Sequence, residues 1–341
     1  MSDKNGQYIQ LCINEAWRYQ LLTYPNPAVG ACVVKNNEIL AVEAHKEAGS
    51  PHAEVNALKS AFLKSNLNSK LKDITTSHEI HDFLKDNHNN FFKDCEIYVT
   101  LEPCNHIGKT PACAMLLESI GIKKVYIGTL DPNKTASGGK ERLENAGIEV
   151  EVLYSVESDN LLYPFVKWQD KSFQFFKIAM REDGSIDGGY ITTQKSLNLV
   201  HEIRTKLDLM VIGGQTVRDD RPTLDSRFAK VNKAPDILIY SNKKEFDKKI
   251  ALFEVNGRVV NISDKIKFLN REQFIMYEGG YNLLERVKND IDMLVVFISH
   301  KIESELKFDI KTFGFEPLYK YNINEFDEVV FLKNRFRKNL L

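Results

Sequence analysis

Two short segments carry residue types that bind a metal and move protons: His52-Ala53-Glu54, and Pro103-Cys104 followed by Cys113. Imidazole and thiolate are the usual donors to a tetrahedral zinc ion, and three protein ligands leave the fourth position to water. Zinc lowers the pKa of that water from about 15.7 to about 7, so a nucleophile forms at neutral pH. Glu54 is then placed to take the proton and deliver it to a ring nitrogen and to departing ammonia, the role of the non-ligand Glu in zinc deaminases. The chemistry such a set supports is hydrolytic removal of an amino group from a heterocycle. His-x-Glu alone occurs by chance, and it is the conjunction of both halves that makes the pattern specific.

The elements around these residues would hold them. Ser50-Pro51 reads as N-cap and first helical residue, which puts His52 and Glu54 in the first turn of a helix. Thr110-Pro111 has the same form, so Cys113 falls at the start of a second helix that runs to about Ser119, with Gly121 as its stop. Two helix N-termini would thus favour thiolate at one metal. The apolar run Glu96 to Leu101 predicts a buried strand ending near Cys104.

The chain has 341 residues, enough for two domains of ordinary size, and 43% of them are hydrophobic. A net charge of −1 with interspersed signs offers no basic face, which excludes a nucleic-acid partner and favours a small-molecule substrate. Five cysteines argue against a disulfide framework, and Cys12, Cys32 and Cys95 read as small core residues. The first seven residues lack an apolar core and no run reaches about 18 apolar residues, so a cytoplasmic protein with no membrane partner is expected.

The first half predicts a helix over 8–22, strands over 29–34 and 39–44, the two metal-site helices, strands near Ile97 and Val125, a helix over 140–145 and a strand over 148–152. This alternation implies a three-layer α/β sandwich. Residues 65–90 read as a polar, solvated insertion in preference to a second metal site at His78 and His81. A connector is expected from Leu161. The second half predicts strands over 175–179, 209–212, 237–240, 258–262, 274–277, 293–298 and 329–332, with helices over 198–206 and 282–288. Gly213-Gly214 after a strand could receive a phosphate through backbone N–H groups, although plain turns also carry such pairs and no Gly-x-Gly-x-x-Gly is present.

The segment Pro103-Cys104-Asn105-His106-Ile107-Gly108-Lys109-Thr110-Pro111-Ala112-Cys113, with eight residues between its cysteines in place of Cys-x-x-Cys, resembles the long form found in the bifunctional RibD family of riboflavin biosynthesis. Tyr24 to Gly30, His45 and Asp131-Pro132-Asn133 agree with it. So do His201 to Arg204, Asp208 to Val217 and Asp220 to Arg227 in the second half. The resemblance implies a cytidine-deaminase-like three-layer α/β/α sandwich over 1–155 and a dihydrofolate-reductase-like α/β domain over 165–341. It implies one Zn2+ on His52, Cys104 and Cys113, and deamination of 2,5-diamino-6-ribosylamino-4(3H)-pyrimidinone 5′-phosphate through Glu54, with Asn26, His45, Asp131 and Asn133 on the substrate. It further implies NADPH-dependent reduction of the ribosyl group to ribityl. Lys177 and Asp220 would lie at the hydride-transfer site, and Arg204, Arg227 and Glu278 at the substrate. Gly213, Gly214, Thr216, Gly279 and Gly280 would face the cofactor. A cytoplasmic homo-oligomer, dimer or tetramer, is part of the same expectation. Where the family carries Ser-x-Asp-Gly, this chain has Arg181 to Gly184 followed by Ser185 to Gly188. Two other readings stay open at this level: a deaminase whose second domain is a degenerate dimerisation or ligand-binding module, and a non-catalytic zinc-binding protein.

Overall fold

The structure is a computed structural model that describes residues 3–335 apart from 107, 109, 134, 171, 188, 232, 267–272 and 302–307. Ile107 and Lys109 of the cysteine segment and Gly188 therefore lie outside the described residues. The chain forms two compact units, residues 1–166 and 167–341.

The first unit contains α1 (Asp3–Trp17), β1 (Gly30–Lys35), β2 (Glu38–Ala44), α2 (Ala53–Ser65), α3 (Ser77–Asn87), β3 (Cys95–Leu101), α4 (Cys113–Ser119), β4 (Lys124–Thr129), α5 (Gly139–Asn145) and β5 (Glu149–Val152). Its five-stranded sheet has the order β2-β1-β3-β4-β5. The β2–β1 and β1–β3 pairs are antiparallel, and β3–β4 and β4–β5 are parallel. Nearly every residue of β1 and β3 is buried on both faces of the pleat, which requires helices on both sides and makes the three-layer sandwich. Cys12, Cys32 and Cys95 are free, buried thiols within this core.

Three local expectations are corrected. The first helix ends at Trp17 and gives way to turns, where the sequence pattern continued to Leu22. Residues 65–90 are not simply solvated: they form a 3-10 turn at Lys70–Asp73 and α3, whose Ile80, His81 and Leu84 are buried. Thr76 caps that helix by accepting from the Glu79 N–H, and its hydroxyl donates to the Glu79 carboxylate. The expected connector is helical, α6 (Val156–Asp170), and the boundary between the units falls inside it.

The second unit contains β6 (Phe173–Arg181), α7 (Gln194–Arg204), β7 (Leu209–Gly213), α8 (Gly214–Asp220), β8 (Asp236–Tyr240), β9 (Val260–Ser263), β10 (Phe274–Glu278), α9 (Tyr281–Val287), β11 (Met293–Ser299), β12 (Phe315–Asn322) and β13 (Asp327–Asn334). Among the described residues the strands form one eight-stranded sheet, ordered β12-β13-β11-β6-β10-β7-β8-β9. It is parallel from β11 to β9, and β13 and β12 add an antiparallel edge. Apolar side chains such as Phe176, Tyr277, Leu294 and Val296 fill its core. β12 was not legible in the sequence because its Pro317 and charged residues suit an exposed edge, where alternation is weak. Gly213-Gly214, expected as a phosphate-receiving pair or a plain turn, opens a short helix, α8, with Gly213 as its N-cap.

Candidate active sites

The three expected zinc ligands converge although 60 residues lie between the first and the last. His52 Nδ1 lies 3.6 Å from the Cys104 sulfur and 3.4 Å from the Cys113 sulfur. A tetrahedral ion with usual Zn–N and Zn–S bond lengths needs donor separations of roughly 3.6 Å, so the three atoms fit the group. Among the described residues this is the cluster of at least three His, Cys, Asp or Glu whose ligand atoms all lie within 4.8 Å of one another; His78 and His81 are not part of one.

The way the ligands are held differs from the cap pattern expected. Ser50 turns its hydroxyl to the Glu47 carbonyl, and His52 itself is the N-cap of α2, with extended backbone and no side-chain cap. Its ring is therefore free to face the sulfurs. Thr110 likewise caps nothing. Its hydroxyl lies 3.2 Å from His52 Nε2, so that with Nδ1 given to a metal the remaining N–H, on Nε2, would donate to the Thr110 oxygen. The backbone N–H of Cys113, at the start of α4, donates to the Cys104 sulfur at 3.4 Å. Hydrogen bonding from the Cys113 thiol, together with His52, outweighs burial and holds Cys104 at about 4, as thiolate. Cys113 is pushed up, first by the hydrogen bond it shares with Cys104 and then by burial. The two sulfurs thus hold one proton between them, which a dication would displace.

Glu54 is 4% exposed in the first turn of α2. Burial, and then the Cys104 charge, push its carboxyl up to about 7, in the range where one group can both accept and return a proton. His45 is 2% exposed and is held at about 4 by burial and by the neighbouring His52 charge, so it is neutral. Its Nδ1–H donates to the Pro51 carbonyl at 3.2 Å, and its Nε2 accepts from the Asn26 amide at 3.1 Å. That bond consumes an Asn26 donor and points the Asn26 carbonyl oxygen elsewhere. Asp131 and Asn133 build their own loop: Asp131 Oδ1 accepts the Asn133 N–H at 2.8 Å, and Asn133 Oδ1 accepts the Thr135 N–H at 3.0 Å.

In the second unit a cavity of about 730 Å3 opens among the C-terminal ends of β6, β7 and β10. It gathers eight of the expected residues: Lys177, Asp220, Gly213, Gly214, Thr216, Glu278, Gly279 and Gly280. This is the place where parallel α/β sheets usually bind ligands. Lys177 Nζ and Arg204 each lie 2.9 Å from one oxygen of Glu278. Burial opposes ionisation of Glu278, but those two cations hold it at about 2. Burial raises Asp220, and the Asp219 and Glu278 charges add to it. Arg204 and Arg227 do not line the cavity. Arg204 is 8% exposed, behind Glu278, and also donates to the Asp225 carbonyl at 3.2 Å. Arg227 is half-exposed and pairs with Asp225.

The glycines differ in what they require. A Cβ on Gly214 would stand 2.5 Å from Ser241 Cβ, so helix–loop packing demands glycine there. A Cβ on Gly213 would meet nothing nearer than 3.7 Å. Sequence reasoning missed Thr110 as the partner of His52, and also Ile186, Ile191, Tyr240 and Arg286, which line the second cavity. A hydroxyl read as a helix cap concealed the first, and the others, on two loops, the end of β8 and helix α9, share no sequence pattern.

Residues 2–129 match the family model of the cytidine and deoxycytidylate deaminase zinc-binding region. The riboflavin biosynthesis protein RibD of Aquifex aeolicus is 33% identical over an alignment covering 89% of this chain and 88% of that protein. RibD of Synechocystis is 35% identical over 59% of this chain and 50% of its own length. The crystal structure of a diaminohydroxyphosphoribosylaminopyrimidine deaminase/5-amino-6-(5-phosphoribosylamino)uracil reductase from Thermotoga maritima superimposes with a TM-score of 0.63 at 27% identity, covering 97% of this chain and 99% of that one. Two forms of Acinetobacter baumannii RibD, 22% identical, share the fold with TM-scores of 0.59 and 0.60. With a zinc-ligand cluster and a buried Glu in the first unit, and a ligand-sized cavity at the strand ends of the second, the chain belongs to the RibD family of riboflavin-biosynthesis proteins.

Proposed function

We propose that this chain is a bifunctional enzyme of riboflavin biosynthesis. Residues 1–155 hydrolyse the 2-amino group of 2,5-diamino-6-ribosylamino-4(3H)-pyrimidinone 5′-phosphate, and residues 165–341 reduce the product's ribosyl group to ribityl with NADPH. The observation that carries it is the pairing of a three-donor zinc cluster with a fully buried carboxyl poised near neutrality. Zinc held by His52, Cys104 and Cys113 supplies the Lewis acidity that makes water a nucleophile at neutral pH.

The chain's own groups do the rest. Glu54 accepts the proton of the attacking water, returns it to the ring nitrogen and then carries one to the leaving ammonia, the bond to the exocyclic nitrogen breaking last. His45, neutral, holds Asn26 so that its carbonyl oxygen can accept from the pyrimidine. Asp131 and Asn133 present a rigid loop to the substrate. In the reductase half, Lys177 and Glu278 position the sugar, Asp220 orients it for hydride delivery, and the strand-end cavity of about 730 Å3 accommodates a nicotinamide group beside it. Arg204 acts on substrate through Glu278, and Arg227 reaches a phosphate only by leaving Asp225. A cytoplasmic dimer or tetramer completes the proposal.

A coupled assay tests it. The zinc-loaded chain should release ammonia from the diaminopyrimidine and then oxidise NADPH. Ammonia release without NADPH binding or oxidation would leave a deaminase with a degenerate second domain.

A further inference from the structure

Glu102 is a carboxylate, 7% exposed, that the chemistry above does not use. It directly follows β3 and stands two residues before Cys104. Its Oε1 accepts the backbone N–H groups of Gly138 and Lys140, both at 3.0 Å, and its Oε2 accepts that of Asp131 at 3.2 Å. Its own N–H donates to the Thr129 carbonyl at 2.9 Å. One side chain therefore holds both ends of the 131–140 segment.

The same segment lies against the cysteine loop. The Asn105 N–H donates to the Ala136 carbonyl at 3.0 Å, and a Cβ on Gly139 would stand 1.8 Å from the Pro103 oxygen, so nothing larger than glycine fits. Gly138, the N-cap of α5, has no side chain with which to satisfy that helix's first N–H groups, and Glu102 supplies the acceptor from the segment that follows β3.

We infer that Glu102 is a positioning residue for the pyrimidine site: its carboxylate clamps the loop that carries Asp131 and Asn133 onto the zinc-ligand loop. This rests on the reading that Asp131 and Asn133 meet the substrate. Three N–H donors converge on two oxygens, and a carboxylate offers acceptors only, whereas an amide offers one oxygen and a competing N–H pair. In Glu102→Gln the amide oxygen should keep the side with two donors, Gly138 and Lys140. Its NH2 then faces the Asp131 N–H, which releases the start of the loop and leaves its end in place.

The test uses the full zinc-loaded chain. Glu102→Gln should keep its zinc, raise KM for the diaminopyrimidine about tenfold to a hundredfold, as loss of one charge-assisted hydrogen bond implies, and change kcat by less than about threefold. Hydrogen exchange should quicken at Asp131 and stay slow at Gly138 and Lys140. Unchanged KM and exchange would overturn the inference, as would loss of zinc with a fall in kcat, which would make Glu102 a support of the ligand loop alone. Should the variant not fold, the wild type decides: its Asp131, Gly138 and Lys140 amides must exchange at least about tenfold more slowly than unstructured amides, and free exchange refutes the clamp. A wild type that releases no ammonia from this pyrimidine would refute the proposed substrate instead, with the exchange result still deciding the clamp.

Discussion

Replacing Thr110 with Val tests the tertiary support of the metal site at a residue that never touches the metal. Val matches Thr in shape but offers no acceptor to His52 Nε2, now 3.2 Å from the hydroxyl oxygen. Thr110 is buried, so water does not readily take its place. The orphaned imidazole N–H then costs about 1–3 kcal/mol, the usual penalty for a buried unsatisfied donor. Because that penalty applies when Nδ1 is committed to zinc and is relieved when the ring can turn or switch tautomer, it falls on the bound state. At 1.4 kcal/mol per decade, zinc affinity should weaken about 5- to 150-fold, in the range typical of lost outer-sphere partners. The assay is competition of the loaded protein against a chromogenic chelator, with Thr110→Ser expected to stay within about threefold of wild type because it keeps the oxygen. Zinc affinity of Thr110→Val within twofold of wild type would refute the reasoning and return Thr110 to a simple packing role.

Other outcomes follow from the same geometry. Glu54→Gln should keep zinc by metal analysis yet lose ammonia release by more than the ~10²- to 10⁴-fold of a single proton transfer, since Glu54 acts at several steps; near-normal release would rule it out as proton carrier. Gly213→Ala should leave the thermal midpoint nearly unchanged, because its Cβ meets nothing within 3.7 Å, but raise KM for NADPH; an unchanged KM would take Gly213 off the cofactor surface. Glu278 is held at about 2, below its ordinary 4.5, so its contribution is present above pH 4.5 and is lost as pH falls toward 2. Denaturant titrations should show the wild type losing about 3 kcal/mol more than Glu278→Gln across that window, and equal losses would mean that the Lys177 and Arg204 pairs are not stabilising. His52→Ala should abolish deamination while reduction of supplied deaminated product continues, and Asp220→Asn should do the reverse; loss of both activities in either variant would contradict their assignment to separate domains.

Much of this was legible before any coordinates. The types and spacing of His52, Glu54, Cys104 and Cys113 are covalent facts, and the buried strand that ends shortly before Cys104 follows from its uninterrupted apolar run, which must be covered on both faces. The parallel strands of the second unit could be read for the same reason. Edge strand β12, polar α3 and short α8 could not, since β12 and α3 are largely exposed with little apolar periodicity and α8 is only seven residues long. Tertiary structure alone decided what each polar group faces. Thr110 and Ser50 both looked like helix caps, yet one holds His52 and the other a turn. Arg204 and Arg227 looked equally able to bind phosphate, yet one is buried against Glu278 and the other paired at the surface. Glu102 gave no signal, because its three partners are backbone N–H groups 29 to 38 residues away, and every non-proline residue carries an identical one. Sequence specifies which groups are present, and long-range hydrogen bonding specifies which of them are free to act.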